Sequence, residues 1–449
     1  MQNGEKLSFK EKIGYSLTSF GNGSWSSYIN TFLLYFYTNV AGIRPAVAGT
    51  ITGLAVIWDA INDPLFASLV DNHTFKNGEK MRPLLIYASV PLAICLVLMF
   101  TVFGDGGTFT VIMAFVMYFL FRIPSTFYNL PMNGMRQLAT GDDSERVSLG
   151  AYATAGGSFG MAIAAVGMWP LVRAIAGLDS ERNMINPRLG FAAGAAIVGV
   201  IIIAASIYNY LTTKERVKAQ NPEKTPFFEA CRRILKNRNF MISLLMDFFY
   251  GVLSMLVSTY AVYYCTYVLN NADLVTPVSA MYIFGVVAAI PFVSKLYKKL
   301  GRKKHFALST AILGLGSIVF MLFPRNIISP FFFCLCIGVG TEFASVLLAV
   351  NRADVTDIIE AKEGSRLDGM VSNVSTFIQK CARGLLTFIL GLILEYAKYD
   401  GNLSTQPDSA VTAIILIMAL GGVLSSIGMY ISAKGLRIDE EMAECGINK

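Results

Sequence analysis

The sequence predicts an all-α integral membrane protein with twelve transmembrane helices in two six-helix bundles, and three observations lead there. Hydrophobic residues make up 54% of the 449 and charged residues only 15%, with a mean hydropathy of +0.54. A chain of this length with ordinary composition would read as two or three soluble domains, and this composition excludes that. Apolar stretches of roughly 20–28 residues recur about twelve times, each long enough to cross about 30 Å of hydrocarbon and about twice the length of a barrel strand. Finally, lysine and arginine alternate between loops, as they do when successive loops lie on opposite sides of a bilayer.

The expected spans run Tyr15–Asn39, Pro45–Val70, Pro83–Phe103, Phe109–Met135, Leu149–Ile175 and Leu189–Leu211 in the first half. In the second half they run Phe240–Leu269, Val275–Tyr297, His305–Phe323, Ile328–Ala349, Val371–Tyr396 and Ala410–Ser432. Met1 to Lys12 is polar and the first apolar stretch is too long for a signal peptide, so it is expected to stay as the first helix. Most of the 37 lysines and arginines sit in the tail with Lys6, Lys10 and Lys12, in the even loops and at the carboxyl end. The positive-inside rule therefore puts both termini in the cytoplasm of a multi-pass cell-membrane protein.

The longest polar segment, 213–239, separates an amino-terminal bundle (1–212) from a carboxyl-terminal one (240–449). Thr225-Pro226-Phe227-Phe228-Glu229 followed by Arg232-Arg233 predicts a short amphipathic helix within it. Gly78-Glu79-Lys80-Met81-Arg82 after span 2 is echoed by Gly301-Arg302-Lys303-Lys304 after span 8. Two halves with an echoed loop form the pattern of a transporter built from repeats, with substrate bound near the midplane. The pI near 8.9 does not point to nucleic acid, because the positive charge is confined to alternate loops. The seven cysteines lie in apolar or cytoplasmic stretches and suggest no disulfide. No cofactor is expected.

Within span 2, Trp58-Asp59-Ala60-Ile61-Asn62-Asp63-Pro64 stands out. Two aspartates four apart lie on one helix face, about 6 Å apart along the axis, so both carboxylates reach one ion. Asn62 adds a neutral oxygen, and Pro64, lacking an N–H, predicts a kink. A carboxylate pair in hydrocarbon needs a cation, and an intramembrane carboxylate is a functional site by default. Arg122 reads either as a structural partner for Asp59 or Asp63 or as a guanidinium for an anionic substrate. Asp247 and Glu342 either line the cavity from the second half or form interhelical ion pairs, and Arg383 reads as the structural partner of one of them. His73 and His305 fall at loop ends and suit neither ligation nor base catalysis. Trp25, Tyr28 and Tyr128 are candidate aromatic platforms for stacking on a ligand.

The Trp58–Pro64 stretch, with Gly78-Glu79-Lys80-Met81-Arg82-Pro83, resembles the signature of the glycoside-pentoside-hexuronide cation symporters, a branch of the major facilitator superfamily that includes the melibiose permeases. The likeness extends through Tyr35-Phe36-Tyr37-Thr38-Asn39-Val40-Ala41-Gly42, Asn129-Leu130-Pro131, Ala353-Asp354-Val355-Thr356-Asp357 and Lys380-Cys381. It implies two six-helix bundles of the major facilitator fold, working by alternating access, with a Na⁺, Li⁺ or H⁺ gradient driving a sugar inward. It also implies a cation site of Asp59, Asn62 and Asp63 on span 2 with Thr126 on span 4, an oxygen set suited to hard cations. Without a metal the two carboxylates would share a proton.

The sugar side departs from the melibiose pattern. The positions of its two sugar-binding aspartates read Gly23, after Asn22, and Asn129, and the stacking aromatic aligns with Asn133. Asn129 before Leu130-Pro131 is closer to the glucuronide-transporting members. Lys380 matches a lysine facing the cation and sugar region. Asp71, Arg82, Asp354, Asp357, Glu360 and Arg366 read as a cytoplasmic gate between the halves. The expected partners are a sugar or glycoside, a monovalent cation and the lipid bilayer. The competing readings are a carrier of an anionic or amphipathic solute and, from another class, a membrane sensor or enzyme. The latter has against it the lack of any His-rich metal set, Ser-His pair or appended domain.

Overall fold

The computed structural model describes residues 7–72, 75, 78–79, 81–140, 142–216, 227–363, 368–403 and 405–447. The chain divides into two units: Met1–Gln220 with Tyr399–Ser404, and Asn221–Lys398 with Thr405–Lys449. The division falls inside the 213–239 segment.

The first unit holds α1 (Phe9–Tyr35), α2 (Pro45–Asn72), α3 (Arg82–Met99), α4 (Thr108–Ala139), α5 (Asp143–Ala176) and α6 (Pro187–Thr212). The start of α1 is set by a capping box. Ser8 Oγ accepts from the Glu11 amide, and Glu11 Oε2 accepts from the Ser8 amide at 2.9 Å. α1 is rich in Gly, Ser, Thr and Asn, and its Thr18, Ser19, Gly21, Gly23, Ser24 and Thr31 are buried. Small residues let it press against its neighbours, so it serves as an interior helix packed chiefly on α5 and α6. A β-carbon on Gly156 or Gly160 of α5 would lie 2.0 Å from the carbonyl of Ser16 or Phe20, and one on Gly23 would lie 2.2 Å from that of Gly157.

α1 runs into a π-helical turn, Phe36–Val40. There Asn39 Oδ1 accepts from Thr38 Oγ1 at 2.7 Å and from Tyr399 Oη at 3.0 Å. Tyr28, Phe32, Phe36, Phe100, Trp169 and Phe191 form a buried aromatic cluster, closed by Tyr28 Oη donating to the Phe191 carbonyl at 2.8 Å. α2 continues through Pro64 to Asn72 as one helix.

The second unit holds the short α7 (Phe227–Lys236), then α8 (Arg238–Tyr267), α9 (Val275–Leu322), α10 (Ser329–Glu363), α11 (Asp368–Tyr396), α12 (Asp408–Gly435) and the short α13 (Ile438–Glu444). α7 falls where the amphipathic segment is expected, with Ile234 fully buried. α9 is two helices that meet at a kink at Gly301, whose φ of 70° only glycine adopts readily. Each unit thus has six long helices among the described residues. Ten segments there are long and apolar enough to cross a membrane, and a shorter apolar stretch, Pro45–Ala55, opens α2.

His305, expected at a loop end, is instead fully buried, its ring 5.2 Å from that of Phe343. The helix resumes at once after Gly301, which carries His305 into the packed part of the unit. α13 is held by the ends of three helices. Asp439 accepts from Arg302 Nε at 2.9 Å, Glu441 accepts from Asn239 and Lys362, and Ile438 and Met442 are buried beneath.

Candidate functional site

In the first unit, α2 and α4 are fastened by two ring contacts, Trp58 on Phe119 and Phe66 on Phe127, with centroids 5.7 and 4.6 Å apart. Between them Asn62 Nδ2 donates to Thr126 Oγ1 at 3.0 Å, both side chains being almost completely buried. Thr126 Oγ1 in turn donates to the Arg122 carbonyl at 3.2 Å. The amide's Oδ1 is therefore not engaged by Thr126, and it is an oxygen that can face a cation. The backbone places Asp59 and Asp63 in α2 on either side of Asn62, one turn apart. The side chains of Asp59, Asp63, Asp71 and Asn133, and the whole of Arg366, lie outside the described residues.

One turn before Thr126, Arg122 donates to Tyr118 Oη at 2.5 Å, and its guanidinium lies 4.8 Å from that ring's centre. On α1, Trp25 meets Phe121 of α4 edge-on at 5.3 Å. Trp25 Nε1 and, one turn earlier, Asn22 Oδ1 are buried and find no hydrogen-bond partner among the described residues. A buried polar atom left unpaired costs about 1–3 kcal/mol, a cost that ligand hydroxyls would remove. Asn129 is half-buried on α4, near Thr126.

Three candidates belong to packing. Gly23 is the crossing point of α1 on α5, where the tight carbonyl contact leaves no surface for a ligand. Tyr128 is fully buried with its hydroxyl donating to the Thr18 carbonyl at 3.3 Å, so neither ring face is open to a sugar. Tyr28, in the aromatic cluster, is buried in the same way.

In the second unit, Asp247 of α8 is fully buried and Oδ1 accepts from Arg352 of α10 at 3.1 Å and from Gln379 of α11 at 2.7 Å. The expected pairing of Arg383 with Asp247 or Glu342 is not found among the described residues; Arg352 takes that role for Asp247. Nothing in the sequence spacing singles out Arg352, because its partnership depends on three helices meeting. Lys380 lies half-buried on α11 beside Gln379.

Of the expected gate residues, Arg82 and Asp354 have described partners within their own units. Arg82 pairs with Glu79, donates to the Tyr210 carbonyl at 2.9 Å and stacks on the Tyr210 ring at 4.3 Å. Asp354 is buried against Arg302, while Asp357 and Glu360 follow it along α10.

A family model described as MFS/sugar transport protein matches residues 14–440. The isoprimeverose transporter of Lactiplantibacillus pentosus is 27% identical over 94% of this chain and 88% of its own. The inner membrane symporter YicJ of Escherichia coli is 28% identical, over 93% and 89%. The glucuronide carrier protein homolog of Escherichia coli is 26% identical, over 90% and 87%. Among solved structures, a bacterial homolog of the lysosomal transporter Spinster superposes with a TM-score of 0.71 at 14% identity, covering 95% of this chain and 97% of its own. A D-xylose-proton symporter gives 0.65 at 15%, over 95% and 99%. These two likenesses speak for the fold. The family model spans nearly the whole chain, and the transporter fold agrees with an all-helical membrane protein that is not an enzyme. The chain belongs to the MFS sugar-transport family, among the glycoside-pentoside-hexuronide cation symporters.

Proposed function

We propose that the protein is a secondary symporter in which Na⁺, or Li⁺ or H⁺ at the same site, drives uptake of a sugar or glycoside by alternating access. The observation that carries this reading is the buried Asn62–Thr126 hydrogen bond joining α2 to α4 between the two aspartate positions. A cation settling there is coordinated by Asp59, Asp63, Asn62 Oδ1 and Thr126 Oγ1. Neutralising the two carboxylates removes their repulsion and lets α2 draw against α4. That closure aligns Asn22, Trp25 and Asn129 for the sugar, and the loaded bundle then opens inward. Both termini lie in the cytoplasm, and Asp71, Arg82, Asp354, Asp357, Glu360 and Arg366 form the cytoplasmic gate.

The test is uptake by membrane vesicles from a glycoside panel under imposed Na⁺, Li⁺ and H⁺ gradients. One cation or more should drive accumulation, and Asp59→Asn or Asp63→Asn should abolish it. Gradient-driven accumulation surviving in both variants would sink the reading.

Arg122 supports a second reading, an anionic solute such as a glucuronide. Its guanidinium donates to Tyr118 Oη, and one relative is named a glucuronide carrier homolog. Comparing glucuronides with neutral glycosides in Arg122→Gln separates the two. Loss of the glucuronides alone supports the anionic cargo.

A further inference from the structure

Two glycine crossings in the second unit press α9 on α10 and α8 on α11. A β-carbon on Gly338 of α10 would meet the Tyr282 carbonyl at 2.3 Å, and one on Gly285 of α9 the Leu335 carbonyl at 2.6 Å. One on Gly251 of α8 would meet the Gln379 carbonyl of α11 at 2.7 Å and Ala382 Cβ at 3.0 Å. The first crossing seats Tyr282 beside α10 just before Glu342, one turn on from Gly338. The second seats Tyr250, next to Gly251, against α11 just before Arg383. The hydroxyl of Tyr250 accordingly lies in the field of Arg383 and Glu342 as well as Asp247, and that of Tyr282 lies in the field of the same Arg383 and Glu342.

The polar residues here form two layers. Nearer the amino-terminal end of α8, Asp247 is held by Arg352 and Gln379. In the other layer the groups are not matched to each other. Glu342 has one side-chain hydrogen bond among the described residues, from Ser345 Oγ of its own helix at 3.5 Å, and Arg383 Nε is buried with none. No ion pair joins Glu342 to Arg383 among the described residues. Both are well inside long membrane-spanning helices, where an ionised side chain without a structural partner marks a substrate or ion path.

We propose that Glu342 and Arg383, flanked by Tyr250 and Tyr282, form a sugar-binding subsite in the second unit that recognises vicinal hydroxyls of an uncharged glycoside. The inference rests on the sugar-transport reading and names its substrate class. A carboxylate accepts two hydroxyl protons from a diol, a guanidinium donates to hydroxyl or ring oxygens, and a tyrosine ring offers an apolar face to sugar C–H groups. The pair sums to zero charge, so it suits a neutral polyol. An anionic sugar would meet Glu342 as a like charge.

The test uses the full-length protein in proteoliposomes, with membrane level and melting temperature measured for each variant. Glu342→Gln and Arg383→Gln should each raise KM for neutral pentosides and hexosides about tenfold to a hundredfold, the range for losing a charge-assisted hydrogen bond. Maximal rate should be largely kept. The double variant should be at least as impaired as either single one. Wild-type KM in the single variants, or recovery of KM in the double variant, as a purely structural ion pair would give, overturns the subsite. Should Glu342→Gln not accumulate, Glu342→Asp retracts the carboxylate by one methylene, and a wild-type KM there overturns it equally. If the wild-type protein takes up no member of the panel, the sugar-transport reading itself falls, and the subsite with it.

Discussion

Glu11 shows how much a single carboxylate does where the chain enters the first bundle. Burial opposes its charge, but hydrogen bonds from Arg216 at 2.7 Å and from Ser8 prevail and hold its pKa below the ordinary 4.5. A carboxylate whose folded pKa is depressed adds stability that is complete above its unfolded value and is lost as pH falls through the lower folded value. Glu11→Gln keeps the capping acceptor but loses the charge paired with Arg216, and should therefore cost about 1–2 kcal/mol at pH 7, the scale of a charge-assisted hydrogen bond. The melting-temperature gap from wild type should close as pH drops below 4.5. A gap that is unchanged at low pH would show that the pairing with Arg216 contributes nothing. The same scale exposes what a sequence carries and what it hides. The Asp59/Asp63 pair is visible because its spacing is local to one helix. Thr126 came only through family resemblance, since no pattern relates residue 62 to residue 126 until α2 and α4 are placed side by side. Arg352 as the partner of Asp247 was not visible at all, for the same reason.

Helices show the complementary limit. Average hydropathy located the long spans because crossing a bilayer requires a long apolar run, and that requirement is one-dimensional. Which faces meet is two-dimensional, so Gly23 could be aligned with a sugar-binding position while the helix crossing claims it. Gly156-Gly157 and Gly160 are spaced as a small-residue stripe, yet their role appears only when the α1 carbonyls lie against them. Gly160→Ala puts a β-carbon 2.0 Å from the Phe20 carbonyl, a clash with rigid backbone that only a shift of α1 relieves. Overpacking of that kind costs about 1–3 kcal/mol, and it displaces Asn22 and Trp25, which ride on the same helix. The melting temperature and the sugar affinity should therefore fall together. Gly150→Ala on the same helix, with nothing within 4 Å of the added carbon, is the control and should match wild type in both. A Gly160→Ala protein with wild-type stability would mean that the crossing is looser than its geometry.

At the scale of the molecule, the sequence expects a division at the one charged, polar segment that interrupts the apolar pattern, and the chain separates into two units at 220/221. Nothing local in the sequence assigns Tyr399–Ser404 to the first unit, since these residues lie far along the chain from Asn39, with which Tyr399 is hydrogen-bonded. Each unit builds its interior from its own helices: the aromatic cluster around Trp169 in the first, and in the second the Asp247 network with the α13 contacts. The aromatic cluster and the Asp247 network use no residue of 213–239, whose contribution is then to keep two self-packed bodies at high effective concentration. Membrane confinement supplies much of that concentration without a link. Two chains, 1–220 and 221–449, expressed together should therefore both insert, co-purify and restore gradient-driven uptake, while either alone should insert without transporting. Proteolysis and thermal melting of each half in detergent give an independent readout of folding. If the isolated first half is degraded or melts without cooperativity, its core depends on the second. The proposed cation site on α2 and α4 would then have to be understood as a property of the whole chain.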